Sequence, residues 1–303
     1  MVNLLYIASL GHSGSTILDL AVAAAAPDKV QSLGEFRNFT WQVHRLPKHY
    51  ETSTLCSCHK FIVACPVWGK LIRENYPKML NYPEKFQTGI YTDISIHYSK
   101  MESVRRKILK NTNGKIWEYA KKRYLESTEF NWSLFGLVGK EAVVDSSKDL
   151  LRFRFLHSRM PENAKLIVLI RSPHGVIATR DLPPEGRPKR LKYWLDFYNN
   201  QAYRIMKEIG PENYRVVWHE DFCKNPAKET QRILDLVSIQ GNFPKDNTLY
   251  PPELHMVAGN DIRRLPELTI RKPSEQWKTT LNQNEIELAD RYLDKLKSEY
   301  KNL

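Results

Sequence analysis

Residues 4–26 constrain the fold more than any other stretch. Leu4-Leu5-Tyr6-Ile7-Ala8 is a short apolar run with a glycine close behind it, the pattern of a strand buried on both faces. Residues 16–25 are rich in helix formers. Between them lies Gly11-His12-Ser13-Gly14-Ser15-Thr16, which must therefore be a strand–turn–helix corner. The first amides of a helix lack intrahelical partners and carry partial positive charge, so such a corner favours an anion. Gly11 and Gly14 let the backbone wrap closely around it, and Ser13, Ser15 and Thr16 add hydroxyl donors.

The rest of the chain repeats strand and helix. After Pro27-Asp28, residues 29–33 read as a short strand closed by Gly34-Glu35. Residues 142–145 and 165–170 read as strands, the second an unbroken apolar run. A helix from 149 to about 159 separates them, and Arg171 sits at the end of the second. Pro173 suits the first turn of a helix running past Thr179. Residues 181–190, with three prolines, read as a surface loop or lid. Helix 191–209, strand 214–218, helix 226–237 and a closing helix 284–296 follow. The alternation predicts an α/β fold of three layers, a mostly parallel sheet with helices on both faces. One domain over residues 1–303 is expected, with residues 36–140 a mostly helical insertion.

A hydrophobic fraction of 42% against 26% charged residues is enough for a globular core. The net charge of +12 points to an anionic partner, but the basic residues are dispersed and no nucleic-acid module is visible. Only three residues precede the first strand, and residues 17–26 are too short to span a bilayer and contain Asp19. A cytoplasmic protein with no membrane or nucleic-acid partner is expected, its oligomeric state unspecified. Cys56, Cys58, His59 and Cys65 cluster within ten positions. The C-x-C spacing departs from the C-x₂₋₄-C of common zinc sites, so buried thiols or a local disulfide are the favoured reading.

The hexapeptide departs from the nucleotide-triphosphate loop G-x-x-x-x-G-K-[ST], because Ser15 follows Gly14 where a lysine belongs. It resembles instead the 5′-phosphosulfate loop of sulfotransferases, with His12 where those families carry Lys or Arg. Three further segments are similar in the same order, with two shorter matches beside them. Arg171 and Thr179, eight residues apart, match an Arg and a Ser that hold the cofactor's 3′-phosphate. Asp145-Ser146-Ser147-Lys148-Asp149 is similar to the N-K-D-P stretch of tyrosylprotein sulfotransferases, and Gly34-Glu35 to their G-E, whose Glu is the proposed base. Ile270-Arg271-Lys272-Pro273, followed by Trp277-Lys278, resembles the R-K-G segment of cytosolic sulfotransferases, with Pro replacing Gly. Gly259-Asn260 and Arg263 are similar to the G-N-x-x-R run of Golgi carbohydrate sulfotransferases.

The resemblance implies transfer of a sulfuryl group from 3′-phosphoadenosine 5′-phosphosulfate (PAPS; product PAP) to a hydroxyl or amine of a small-molecule or carbohydrate acceptor. Gly11, His12, Ser13, Gly14, Ser15, Thr16, Arg171, Thr179, Arg271 and Lys272 are the implied cofactor residues. Glu35 is the first choice of general base, His12 the second, and Lys148 the cation near the transferring group. No metal is expected. Two other readings stay open: a P-loop kinase of small molecules, with Asp145 as the acid for magnesium, and a non-enzymatic anion or nucleic-acid binding protein.

Overall fold

A computed structural model describes residues 1–44, 55–81, 114–179 and 182–301. Five strands, β1 (Asn3–Ala8), β2 (Val30–Gly34), β3 (Ala142–Lys148), β4 (Ala164–Ile170) and β5 (Tyr214–Trp218), form one sheet in the order β2-β3-β1-β4-β5. Every pairing is parallel. All five carboxyl ends therefore open on one edge, where α/β sheets of this kind bind ligands.

The layers follow from the period-two alternation of side chains in the strands. Leu4, Tyr6, Val143, Leu166 and Val168 turn to one face, and pack with Leu150, Phe153, Trp194 and Phe197. Leu5, Ile7, Val144, Ile167 and Leu169 turn to the other, against Leu18, Val22, Ile233 and Leu234. Both faces are covered, so the central strands must be apolar on both sides, as their sequences are. The fold is α/β with a parallel sheet between helical layers, as expected.

Four local expectations need correction. β3 runs on through Ser146 and Ser147 to Lys148, because Ala8 pairs with Lys148 beyond a register shift. The helix after Arg171, Pro173–Ile177, stops before Thr179, whose hydroxyl turns back to donate to the Val176 carbonyl (3.2 Å). The next helix begins at Arg187 rather than 191: Pro188 suits its first turn, and Arg187 grips both Glu285 oxygens at 2.9 Å. The described part of that stretch is thus anchored, not a free lid. A helix unforeseen in the sequence, His219–Lys224, follows β5 directly.

The described part of residues 36–140 is helical, with Trp68–Asn75, Lys115–Arg123 and Leu125–Leu137 its longer pieces. Residues 99–127 also read in sequence as a helical stretch with an interrupted apolar face from Tyr98 to Tyr124 and a break at 111–114; its part up to residue 113 lies outside the described residues. Among the described residues, no helix is long and apolar enough to cross a membrane.

Candidate active site

The turn after β1 is built on two left-handed residues, His12 (φ 67°) and Gly14 (φ 86°). Gly14 caps the helix Ser15–Ala25. A methyl group at Gly14 would stand 2.6 Å from His219 Nδ1, so this glycine is required for close approach as well as for its φ. Two guanidiniums hold the turn by its carbonyls. Arg171 Nη1 donates to His12 O at 2.6 Å, and Arg190 Nη2 donates to Gly11 O at 3.2 Å. Asn260 N donates to Thr16 Oγ1 at 3.2 Å, joining the start of the helix to the 259–264 segment.

The turn lines a cleft of about 760 Å³ at the carboxyl edge of the sheet. Gly11, His12, Gly14, Ser15 and Thr16 form one wall; Glu35, Lys148, Arg171, Thr179 and Trp277 also face it. Ser13 is buried beneath the loop and does not line the cleft. A second hollow of about 530 Å³ shares Arg171 and Trp277 and adds His219 and Lys272. Arg271 is exposed and lines neither. None of the four cysteines lines either hollow.

Glu35 and Lys148, 113 residues apart, form an ion pair with Nζ 2.5 Å from Oε1; Arg37 Nη2 lies 3.4 Å from Oε2. Burial alone would raise the Glu35 pKa, but the Lys148 charge and hydrogen bond, and then Arg37, hold it below the ordinary carboxylate range. Lys148 reaches the pair from a left-handed backbone (φ 69°), a conformation costly for a side chain of this size. Glu35 N donates to Ala258 O at 2.9 Å, fixing the carboxylate from behind.

Asp145, the acid that a kinase reading needs, is fully buried and turned away from the cleft. Its Oδ2 accepts from Arg152 Nη2 (2.8 Å) and Nε (3.2 Å), and its Oδ1 from Ser147 N (2.9 Å) and the Ser147 hydroxyl. Among the described residues Glu35 is the one carboxylate lining the main cleft.

Three contributors are not singled out by the sequence. His219 packs on Gly14, and burial, followed by the Arg171 charge, pushes its pKa down to about 4, so it is neutral near pH 7. Gly175 lets the Arg171 guanidinium lie flat: a methyl there would stand 2.6 Å from Arg171 Nε. Asp19 accepts from Ser32 Oγ (2.6 Å) and Gly34 N (3.0 Å), clamping the end of β2 that presents Glu35. A positive φ in one residue and a buried carboxylate in a helix leave no mark in the sequence pattern.

No protein-family model and no curated protein matches the chain. Among solved structures, the sulfotransferase domain of the Synechococcus PCC 7002 olefin synthase superposes with a TM-score of 0.52 at 18% identity, covering 96% of this chain and 95% of that one. The chain has the sulfotransferase fold. The sulfotransferase domain of the curacin biosynthetic pathway aligns over 98% of both chains at 14% identity, with a TM-score of 0.49. In the sulfotransferase fold of this chain, the strand–turn–helix corner, Glu35, Lys148 and Arg171 all stand on the carboxyl edge of the sheet.

Proposed function

We propose that the protein transfers a sulfuryl group from PAPS to a hydroxyl or amine of a small-molecule or carbohydrate acceptor. One observation carries this reading: the 11–16 loop, Glu35, Lys148, Arg171 and Thr179, each matched separately in sequence, converge on one cleft. The cleft fits the nucleotide. Its volume suits a ligand of that size, the loop offers the first amides of a helix with no side-chain cap, and Gly14 keeps the backbone within reach. Arg171 and Thr179 would hold the 3′-phosphate, and the 11–16 loop the phosphosulfate end. Lys272, in the adjoining hollow, would add a cation; Arg271 does not belong to this set.

Bound there, PAPS supplies an activated sulfuryl group on a phosphate leaving group. Glu35 is the base for the acceptor proton: it is ionised, and its Lys148 partner keeps it so. Lys148 also offsets negative charge as the phosphate departs, a role in which a preplaced cation needs no reorganisation. A proton arriving on Glu35 weakens its hold on Lys148, so the two roles are coupled through one 2.5 Å contact. His12, also on the cleft wall, is the second choice of base. The kinase reading loses support because Asp145 is committed to Arg152.

Calorimetry with adenosine 3′,5′-bisphosphate should show binding that Arg171→Ala weakens by about 1.5–3 kcal/mol, the range for hydrogen bonds to charged groups. Mass spectrometry of acceptors incubated with PAPS should show a sulfate adduct. Unchanged affinity in folded Arg171→Ala would remove that residue from the site, and a phosphate adduct formed with ATP would replace this reading with the kinase.

A further inference from the structure

The fold gathers the three clustered cysteines around a histidine from the far end of the chain. Cys65 Sγ lies 3.6 Å from Cys56 Sγ, 3.8 Å from Cys58 Sγ and 3.5 Å from His255 Nδ1. All four atoms lie within 4.8 Å of one another. None of the cysteines is in a disulfide. We propose that Cys56, Cys58, Cys65 and His255 form a structural zinc site.

The spacing of the ligand atoms carries the argument. Zinc bound tetrahedrally at about 2.3 Å to sulfur and about 2.0–2.1 Å to nitrogen places its ligands about 3.8 Å (S–S) and about 3.5 Å (S–N) apart. The three distances here match those edges. Three soft thiolates and an imidazole select zinc over the hard cations, and four protein ligands leave no open position for water, as in structural rather than catalytic sites.

The surrounding backbone is shaped to present these atoms. Leu55 and Phe61 form an antiparallel bridge, and the turn between them closes through Cys56 N to Lys60 O (2.9 Å) and His59 N to Cys56 O (3.0 Å). His59 takes a left-handed φ of 63° to make that turn. Cys65 N donates to Phe61 O at 2.8 Å, bringing the third sulfur back over the first two. His255 is itself left-handed (φ 50°), and its carbonyl accepts from Trp68 Nε1 at 2.5 Å. Ser57, between the first two cysteines, binds both neighbours of that histidine's turn: its hydroxyl donates to Pro251 O and accepts from Met256 N, each at 2.8 Å. Such outer contacts orient ligands in metal sites. Three thiolates against a divalent ion leave one net negative charge, and buried Arg263 donates to Leu55 O (3.0 Å) on the same loop.

The C-x-C spacing disfavours zinc when only nearby residues are considered. His255, 190 residues beyond Cys65, completes the set and changes that reading. The site would staple the 55–68 segment to the 251–260 segment, which supports the cleft through Ala258 O to Glu35 N and Asn260 N to Thr16 Oγ1. The ion is structural, apart from the transfer chemistry and independent of it.

The test uses the full chain, expressed with added zinc and freed of weakly bound metal by dialysis. Elemental analysis should find one zinc per chain, released on titration with a mercurial and read by a chromophoric chelator. Cobalt(II) exchanged into the site should give the intense visible bands and thiolate-to-metal charge transfer of tetrahedral sulfur coordination. Cys58→Ser and His255→Ala should each lose the bound zinc, whereas Cys223→Ser, outside the cluster, should retain it. Wild-type protein without stoichiometric metal, a weak octahedral cobalt spectrum, or full zinc retention by Cys58→Ser would each overturn the proposal. Should the ligand variants fail to fold, the zinc content and cobalt spectrum of the wild type decide it.

Discussion

Glu35 carries the sharpest claim about single residues. Its carboxylate is mostly buried, which by itself would favour the neutral acid, yet Lys148 at 2.5 Å and Arg37 at 3.4 Å keep it charged. A base is useful only while deprotonated, so the acidic limb of the kcat profile should lie below the ordinary carboxylate range. Glu35→Gln keeps shape and removes the proton acceptor. It should lower kcat by about 10²–10⁴-fold and leave affinity for adenosine 3′,5′-bisphosphate nearly unchanged. His12→Asn, assayed across the same pH series, is the comparison that decides the base: near-full activity in Glu35→Gln with a dead but nucleotide-binding His12→Asn would transfer the role to His12.

At the scale of elements, the helix Ser15–Ala25 both supplies the anion-binding start and holds the neighbouring strand through Asp19. Burial raises the Asp19 pKa to about 7 from an ordinary value near 3.8. Between those two pH values the folded chain holds a proton that the unfolded chain has lost. Stability from this group is therefore fully present below the unfolded pKa and is lost as pH rises through the folded one. Urea unfolding at pH 4.5, 6 and 7.5 should show the wild type losing a few kcal/mol relative to Asp19→Asn as pH rises, since each pKa unit is about 1.4 kcal/mol. A pH-independent difference between the two proteins would mean that Asp19 is ionised throughout.

At the scale of the whole molecule, the cleft draws on segments from residue 11 to residue 277, so a ligand there ties together parts that are remote in the chain. Binding to the folded state alone stabilises it by mass action. Adenosine 3′,5′-bisphosphate at a hundredfold excess over Kd should add about 2.7 kcal/mol, read as an upward shift of Tm. Arg171→Ala at the same ligand concentration should show a smaller shift, and an unshifted wild type would place the nucleotide site elsewhere.

The sequence by itself determined the elements and the loop. The apolar run 4–8, the glycines at 11 and 14 and the strands near 142, 165 and 214 are local signals, because strand, turn and helix are set by neighbours two to four residues away. The resemblance at four separated segments likewise covers most of the residues that line the cleft. Local pattern could not say that Thr179 falls outside its helix or that Arg271 faces solvent. The order β2-β3-β1-β4-β5 sets Glu35 against Lys148 and His219 against Gly14, and the connections outside the sheet bring His255 to the three cysteines. Those pairs are separated by more than a hundred residues. Their meeting depends on strand order, on register and on the paths of long connections, and no short-range periodicity encodes these. Tertiary structure alone decided them.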